Sequence, residues 1–339
     1  MKKLLSTIAI ILAGMLWGCM GLYVRFLDKT GLSSLDICEV RSVFTVVIMF
    51  LVLLFYKPSL LKIKFRDCWI FIGTGIISIL FFNFCYFTTI QETQLSFAVI
   101  MLYTAPVFVM LLSAVLFKEK ITVRKIIALA VAFTGAAFVS LSGNDGGNSI
   151  TVRGILLGLG SGLGYALYSI FSRYALKREY KTLTIVFWTF VFSALGGIVL
   201  VDVNGIFSVF AGTSAVGVGT TAGGIANSAA VGATAGSIAN SAAVGATASG
   251  LLNGLPLVLF CILYAVASTV LPYILYTAGL TNVENGKASV MAFSEPLTAT
   301  LIGIFGYSEI PGAFTVGGIV LMLVALVLLN INFSKKQKA

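Results

Sequence analysis

The sequence predicts an all-α membrane protein with ten transmembrane helices, arranged as two inverted five-helix repeats, and three observations support this prediction. Of the 339 residues, 59% are hydrophobic and only 10% are charged, against about 25% charged in an average soluble domain. Apolar stretches of the roughly 20 residues that a helix needs to cross a bilayer follow one another along the chain. The two halves of the chain also resemble each other. A soluble globular protein is therefore excluded.

The basic residues lie mostly in the connections on one side of the predicted membrane. Eighteen Lys and Arg residues fall on that side and three on the other, while Arg41 lies inside the second helix. Because Lys- and Arg-rich connections stay in the cytoplasm, both termini are predicted to be cytoplasmic. The net charge of +10 is thus a signal of topology and does not indicate nucleic-acid binding. The predicted segments are 4–26, 35–56, 68–90, 94–117, 123–142, 154–176, 182–203, 254–280, 286–308 and 312–333.

The later part of each half can be aligned without gaps by a shift of 190 residues. This shift places Tyr86 on Tyr276 and Pro106 on Pro296. Five helices per half is an odd number, so the second half enters the membrane from the opposite side. Inverted repeats of this kind allow one fold to expose the same site to each face in turn, which is the basis of alternating access.

The earlier part of each half aligns at a different shift, 148 residues, which places Gly14 on Gly162. The difference predicts about forty extra residues in the second half, and they are found at 212–250, where a 13-residue low-complexity sequence recurs. Its small, uncharged residues cannot form a dense core, so we expect an extracytoplasmic loop. The predicted domains are therefore 1–143 and 154–333, the second interrupted by this loop.

Several short motifs occur in the same order as in a known family. Together with the repeat, they make the chain similar to the EamA-type transporters of the drug/metabolite transporter superfamily. This resemblance implies a ten-helix carrier of the bacterial plasma (inner) membrane, and many such carriers export amino acids or related metabolites. The motifs are Trp17-Gly18, Arg41, Tyr103-Thr104-Ala105-Pro106, Glu119-Lys120-Ile121-Thr122 and Glu295-Pro296.

Glu295 carries the clearest chemical signal, because it lies nine residues into a predicted span and hence near the middle of the membrane. An ionised acid at that depth costs about 2.5–3.5 kcal/mol on insertion scales. It should therefore face a cavity, pair with another group or stay protonated. One hypothesis is that it titrates during transport and couples the substrate to a proton. The other is a neutral carboxyl that donates to a carbonyl freed by Pro296.

Three further features have both a structural and a functional interpretation. Pro106 and Pro296 predict equivalent mid-helix kinks, which either line the interface between the repeats or serve packing alone. Arg41 can snorkel, pair with Glu39 or Asp36, or anchor a substrate carboxylate through its guanidinium group. The acids Glu119 and Glu309 end equivalent helices on opposite sides, where they either cap the helices that follow or act as gate latches.

Polar aromatic residues form stripes at helical spacing in both halves. They either line a substrate cavity or make hydrogen bonds between helices. Trp17 and Tyr103 come from the motifs that resemble the family. The predicted cavity residues are Trp17, Asn83, Tyr86, Tyr103, Tyr165, Tyr168, Trp188, Tyr273 and Tyr276.

The sequence contains no signal for an enzyme, a cofactor or a metal site. There is no histidine, and the five cysteines share no CxxC spacing. No phosphate-binding loop is present either, so energy must come from an ion or substrate gradient. We therefore expect secondary active transport, with export, a small-molecule substrate and coupling to protons as its features. The alternatives are a passive facilitator of the same solutes and a membrane scaffold or sensor that transports nothing.

Overall fold

The computed structural model describes residues 2–93, 95–141, 151–211, 255–307 and 311–330. Every regular element within these ranges is helical, and they contain no β-strand. The repeated segment 212–250, predicted as a loop, lies outside the described residues, as does Glu309.

Sixteen α-helices are found in the described ranges, half of them before residue 142 and half after residue 151. The first eight are α1 (Lys2–Gly18), α2 (Met20–Leu27), α3 (Ser34–Tyr56), α4 (Cys68–Ile72), α5 (Phe81–Glu92), α6 (Leu95–Leu102), α7 (Ala105–Phe117) and α8 (Val123–Leu141). The others are α9 (Val152–Lys177), α10 (Thr182–Gly197), α11 (Val203–Phe210), α12 (Leu255–Ala265), α13 (Leu271–Gly279), α14 (Asn285–Met291), α15 (Ser294–Tyr307) and α16 (Ala313–Asn330).

Eight helical stretches are long and apolar enough to cross a membrane. Two shorter apolar helices, Thr182–Gly197 and Ala313–Leu329, accompany them, and the set follows the order of the ten predicted segments. The first of the two contains 16 residues, or about 24 Å of helix, less than the ~30 Å hydrocarbon core. It ends after two glycines rather than continuing to 203 as predicted, because glycine is a poor helix former. The eight stretches are Lys2–Val24, Ser34–Tyr56, Phe65–Glu92, Phe97–Phe117, Val123–Leu141, Val152–Lys177, Leu255–Gly279 and Asn285–Gly306.

Polar side chains fix where the long helices begin. The Ser33 hydroxyl accepts from the Asp36 backbone N–H, and the Asp36 carboxylate accepts from the Ser33 N–H, which forms a capping box at α3. The Thr151 hydroxyl accepts from the Gly154 N–H over 3.0 Å and starts α9 in a similar way. These side chains satisfy amide groups that the first turn of a helix would otherwise leave unpaired.

Helix boundaries recur at the two shifts found in the sequence. The helix α3 begins 148 residues before α10, at Ser34 and Thr182. The helices α5 and α13 begin 190 residues apart, as do α6 and α14, and α8 and α16. Both α5 and α13 also follow a π-helical segment, Gly73–Leu80 in one case and Val266–Val270 in the other. The internal similarity of the sequence is thus expressed as matching helices and matching irregularities.

The buried core is continuous between the early and late helices. The helix α1 packs against α13 and α15, and α8 packs along α16. Small buried residues of α8, Ala128, Ala132 and Ala136, allow the last pair to approach closely. The consequence is that α1 lies beside the helices that carry Glu295 and the aromatic residues Tyr273 and Tyr276.

Candidate functional site at two matching helix breaks

Two helices that the sequence predicts as continuous are broken at equivalent positions. One break, at Tyr103 and Thr104, separates α6 from α7, and the other, at Ala292 and Phe293, separates α14 from α15. Pro106 lies at the start of α7, where a helix does not need an amide donor. Pro296 similarly lies in the first turn of α15. The prolines therefore mark breaks, and the predicted mid-helix kinks are corrected accordingly.

Each break is contacted by a glycine of a neighbouring helix. A side chain at Gly14 would collide with Ser294 and approach the Ala292 carbonyl, and one at Gly162 would collide with Thr104. Gly14 and Gly162 are the pair that the 148-residue shift aligns. The absence of a side chain thus lets α1 and α9 lie directly against the two breaks.

An aromatic cluster lies next to these contacts. The Trp17 ring centroid is 5.1 Å from that of Tyr273, 5.4 Å from Tyr276 and 6.3 Å from Tyr165. The Tyr168 ring meets Tyr273 edge to face at 4.9 Å. Such edge contacts between rings add about 0.5–1.5 kcal/mol to the burial of their area. The cluster therefore joins α1, α9 and α13 through a surface that is apolar on its faces and bears hydroxyls on its edges.

Hydroxyl pairs hold α9 and α13 in register. The Tyr168 hydroxyl is 2.7 Å from the Thr277 hydroxyl. The Ser169 hydroxyl is 2.8 Å from that of Tyr276. All four groups are buried, so each would be left unpaired without its partner.

Glu295 lies in the first turn of α15, directly after the second break. The Tyr165 hydroxyl donates to its Oε2 over 3.4 Å, and its charge also acts on the hydroxyls of Tyr86, Tyr103 and Tyr273. The N-terminal end of a helix carries a partial positive charge, which favours an anion there. A carboxylate at this position is thus stabilised by the α15 dipole and surrounded by tyrosine hydroxyls.

A small cavity, large enough for a water molecule, lies between the two breaks. Tyr103, Pro106, Tyr165, Ser289 and Glu295 are among the residues that line it. Because its walls come from α7, α9, α14 and α15, this cavity lies where the early and late helices meet.

Three of the predicted site residues lie elsewhere. Asn83 lines a different cavity, together with Glu39. Trp188 donates from Nε1 to the Leu61 carbonyl over 3.0 Å and so anchors a loop. Arg41 is buried, and among the ion pairs found in the described ranges none joins it to Glu39 or Asp36. The structure brings together Trp17, Tyr86, Tyr103, Tyr165, Tyr168, Tyr273, Tyr276, Glu295, Pro106 and Pro296.

Two aromatic residues of the cluster were missing from the sequence-based prediction. Phe293 contacts Tyr103 with ring centroids 5.4 Å apart, and the 190-residue shift aligns these two residues with each other. Phe82 contacts both Tyr86 and Tyr165 at 5.7 Å. The repeat could have identified Phe293, whereas no sequence signal singles out Phe82.

Glu119 joins the end of α7 to the start of α14. The chain leaves α7 through Lys118 in a left-handed conformation (φ 56°), after which the Glu119 carboxylate accepts from the backbone N–H groups of Asn285 and Gly286 at 2.9 and 3.2 Å. Arg173 of α9 lies 3.6 Å from the same carboxylate. Glu119 therefore caps a helix of the other half and not, as predicted, the helix that follows it. We call Glu119, Arg173, Asn285 and Gly286 the Glu119 cluster.

Metal or cofactor binding gains no support from the side chains. Within the described ranges, no group of three or more His, Cys, Asp and Glu residues could hold a metal ion.

Comparison with known proteins identifies the family of the chain. A model of the EamA-like transporter family matches residues 4–141 and again residues 152–331. An uncharacterized transporter of Archaeoglobus fulgidus is 25% identical over 324 residues, which cover 92% of this chain and 94% of the relative. The uncharacterized transporter YxxF of Bacillus subtilis is 26% identical over 205 residues, 59% of this chain and 62% of its own.

A solved structure supports the same fold. A crystal structure with 16% sequence identity superposes with a TM-score of 0.64 and covers 96% of both chains. The family match extends over both sets of helices that meet at the cavity. The chain is thus a multi-pass integral membrane protein that belongs to the EamA-like transporter family.

Proposed function

We propose that this transporter is a secondary active exporter of small metabolites, such as amino acids or related amphipathic compounds, in a bacterial plasma membrane. The observation that carries the proposal is the arrangement around Glu295, an acid at the start of a half-helix, among tyrosines and beside a second, matching break. Broken helices whose N-terminal ends face a site between repeats are typical of secondary transporters. Export and the class of solute rest on the resemblance to the family.

The proposed mechanism is alternating access between two inverted halves, residues 1–143 and 154–333. In this proposal ten helices cross the membrane, both termini are cytoplasmic and 212–250 forms an extracytoplasmic loop. The matching helix boundaries and the matching glycine contacts at the breaks support the relation between the halves. The two halves would rock around the aromatic cluster and expose it to one face at a time.

Glu295 is proposed to exchange a proton during each cycle. Its counterpart at the first break is Ala105, so the charge occurs in one half alone. While the halves enclose the cavity, a charged carboxylate has few polar neighbours beyond tyrosine hydroxyls, and protonation reduces the cost of burial. When the cavity opens to water, the same group can release the proton. The movement of solute is thereby tied to the movement of a proton.

The test uses purified protein in proteoliposomes with an imposed pH gradient. A thermal-stability panel headed by amino acids first selects a ligand, because a ligand at 100 times its Kd adds about 2.7 kcal/mol of stability. Flux of that ligand is then compared between the parent and Glu295→Gln. We expect the gradient to drive accumulation in the parent and the variant to lose it, while Glu284→Gln, which removes a 58% exposed acid, keeps it.

Each alternative gives a distinct result in the same assay. A passive facilitator equilibrates the solute in both proteins whether or not a gradient is present. A scaffold or sensor shows no flux that depends on the solute. If Glu295→Gln retains accumulation with the pH dependence of the parent, the coupling role of Glu295 is wrong.

A further inference from the structure

Arg41 is the most deeply buried cation near the aromatic cluster that has no acidic partner. It is the eighth residue of α3, about 10 Å from the start of that helix, and only 4% of its surface is exposed. Its side chain thus lies inside the protein and does not reach the membrane surface by snorkelling.

The guanidinium group contacts only weak acceptors. One terminal nitrogen lies 3.3 Å from the Met20 sulfur, the other lies 3.9 Å from the Cys38 sulfur, and Nε has no hydrogen-bond partner. A guanidinium group carries five N–H donors, and sulfur accepts hydrogen bonds poorly. Its charge is therefore buried with most of its donors unsatisfied, an arrangement that is costly unless an anion completes it.

The nearby acids are already directed elsewhere. Glu39 is two residues from Arg41, so it projects from the other side of α3, where it lines a cavity with Asn83. Asp36 accepts from the Ser33 backbone in the capping box and from the Asp202 N–H. Neither can neutralise Arg41 without losing these contacts.

A second unsatisfied donor lies beside Arg41. The Tyr264 hydroxyl, on α12, is completely buried and has no hydrogen-bond partner, and it lies within range of the Arg41 charge. Tyr273, a member of the aromatic cluster, is within range of the charges of both Arg41 and Glu295. Two buried donors therefore share an environment without an acceptor, at the edge of the candidate site.

We propose that Arg41 and Tyr264 bind the carboxylate group of the transported solute. This inference rests on the proposed transport function and specifies the class of its substrate. The planar guanidinium group fits both oxygens of a carboxylate, and the single charge of Arg41 matches a monoanion better than a phosphate, which carries nearly two charges. The apolar part of the solute would lie against Trp17 and Tyr273.

The first experiment measures binding to purified protein without any gradient, by thermal unfolding. The probes are benzoate, its neutral counterpart benzamide and inorganic phosphate. We expect benzoate to raise the Tm of the parent by several degrees at saturation and the other two to have no effect. Arg41→Met should abolish the shift, Arg41→Lys should weaken binding at least tenfold and Tyr264→Phe should weaken it less. Lys29→Gln, which removes an exposed charge near the same end of α3, should leave the shift unchanged.

Three results would overturn the proposal: no benzoate shift in the parent, equal shifts with benzamide or phosphate, or a benzoate shift that survives in Arg41→Met. A ligand-free measurement covers variants that bind nothing. If Arg41 waits for an anion, Arg41→Met should raise the Tm of the unliganded protein, because an uncompensated charge is removed. A lower Tm would show that Arg41 serves the fold and would refute the binding role.

The binding assay separates this inference from the proposed function. Benzoate binding that depends on Arg41, without any flux in proteoliposomes, would refute transport and leave the carboxylate site standing. Normal transport of carboxylate solutes by Arg41→Met would refute the site and leave transport standing.

Discussion

Glu119→Gln should open the end of the helix bundle at which the Glu119 cluster lies. The carboxylate accepts from two backbone N–H groups at the start of α14, at 2.9 and 3.2 Å, and lies 3.6 Å from Arg173. Glutamine keeps one acceptor oxygen but loses the charge, so one charge-assisted contact worth about 1.5–3 kcal/mol is lost. Because each 1.4 kcal/mol is a factor of ten, the open population should rise roughly ten- to a hundredfold.

The opening can be measured as the rate at which a buried cysteine reacts. Ser289 lies one turn after Asn285, is 3% exposed and lines the cavity beside Glu295. In a background without the five native cysteines, Ser289→Cys would report access to the cavity. A membrane-impermeant maleimide should modify it faster in Glu119→Gln, in proportion to the open population, from the face that carries Lys118 and Lys120.

Glu284→Gln is the matched control, since Glu284 lies at the same end of α14 and pairs with Lys125 at 2.5 Å. It should leave the rate close to that of the parent. Equal rates in Glu119→Gln and the parent, or an equal acceleration in both variants, would refute the role of the Glu119 cluster as a latch between the halves.

Three smaller predictions concern stability. Tyr168→Phe should lower unfolding stability by about 1 kcal/mol because the Thr277 hydroxyl loses its 2.7 Å partner, and adding Thr277→Val should recover part of the loss in the same thermal assay. Gly162→Ala should destabilise by about 1–3 kcal/mol through overpacking at the first break, whereas Gly306→Ala, whose nearest contact is 3.7 Å away, should lower the Tm little or raise it. Burial raises the pKa of the Tyr180 hydroxyl, so its contribution to stability is complete below about pH 10 and declines as the pH rises through the folded-state pKa. Tyr180→Phe should therefore flatten the alkaline part of the pH–stability profile, and an unchanged profile would contradict this.

The repeat was the most informative feature of the sequence. The shifts of 148 and 190 residues located matching helix starts, such as Ser34 with Thr182 and Phe81 with Leu271. Both shifts follow local sequence, which determines where helices begin and end. The same information also placed Tyr86 and Tyr276 at equivalent positions, and both contribute to the surroundings of the cavity or the aromatic cluster.

The helix breaks could not be predicted in the same way. A proline is compatible both with a kink inside a helix and with the first turn of a new one, so Pro106 and Pro296 alone do not distinguish the two. The distinction depends on α1 and α9, whose glycines pack against the breaks from more than a hundred residues away or from the other half. Tertiary contacts of this kind leave no local pattern.

The partners of charged residues were the least predictable feature. Arg41 was expected near Glu39 because the two are close in sequence, yet residues two apart project from different sides of a helix. Glu119 was expected to cap the next helix, and it contacts Asn285, 166 residues away. Long-range pairing of this type follows from the way the halves meet, which the sequence of one helix does not contain.

The two π-helical segments, Gly73–Leu80 and Val266–Val270, make the orientation of the site sensitive to single-residue deletions. A π-turn holds one residue more than an α-turn, so deleting one residue from either segment would allow ordinary α-helix to form without shortening the span by a turn. Each residue accounts for about 100° of rotation in an α-helix. The next helix would then turn by that angle, which would carry Tyr86 in one half, or Tyr273 and Tyr276 in the other, away from Glu295. A chain shortened in this way would keep its hydrophobic length and its route through the bilayer while losing the aromatic lining.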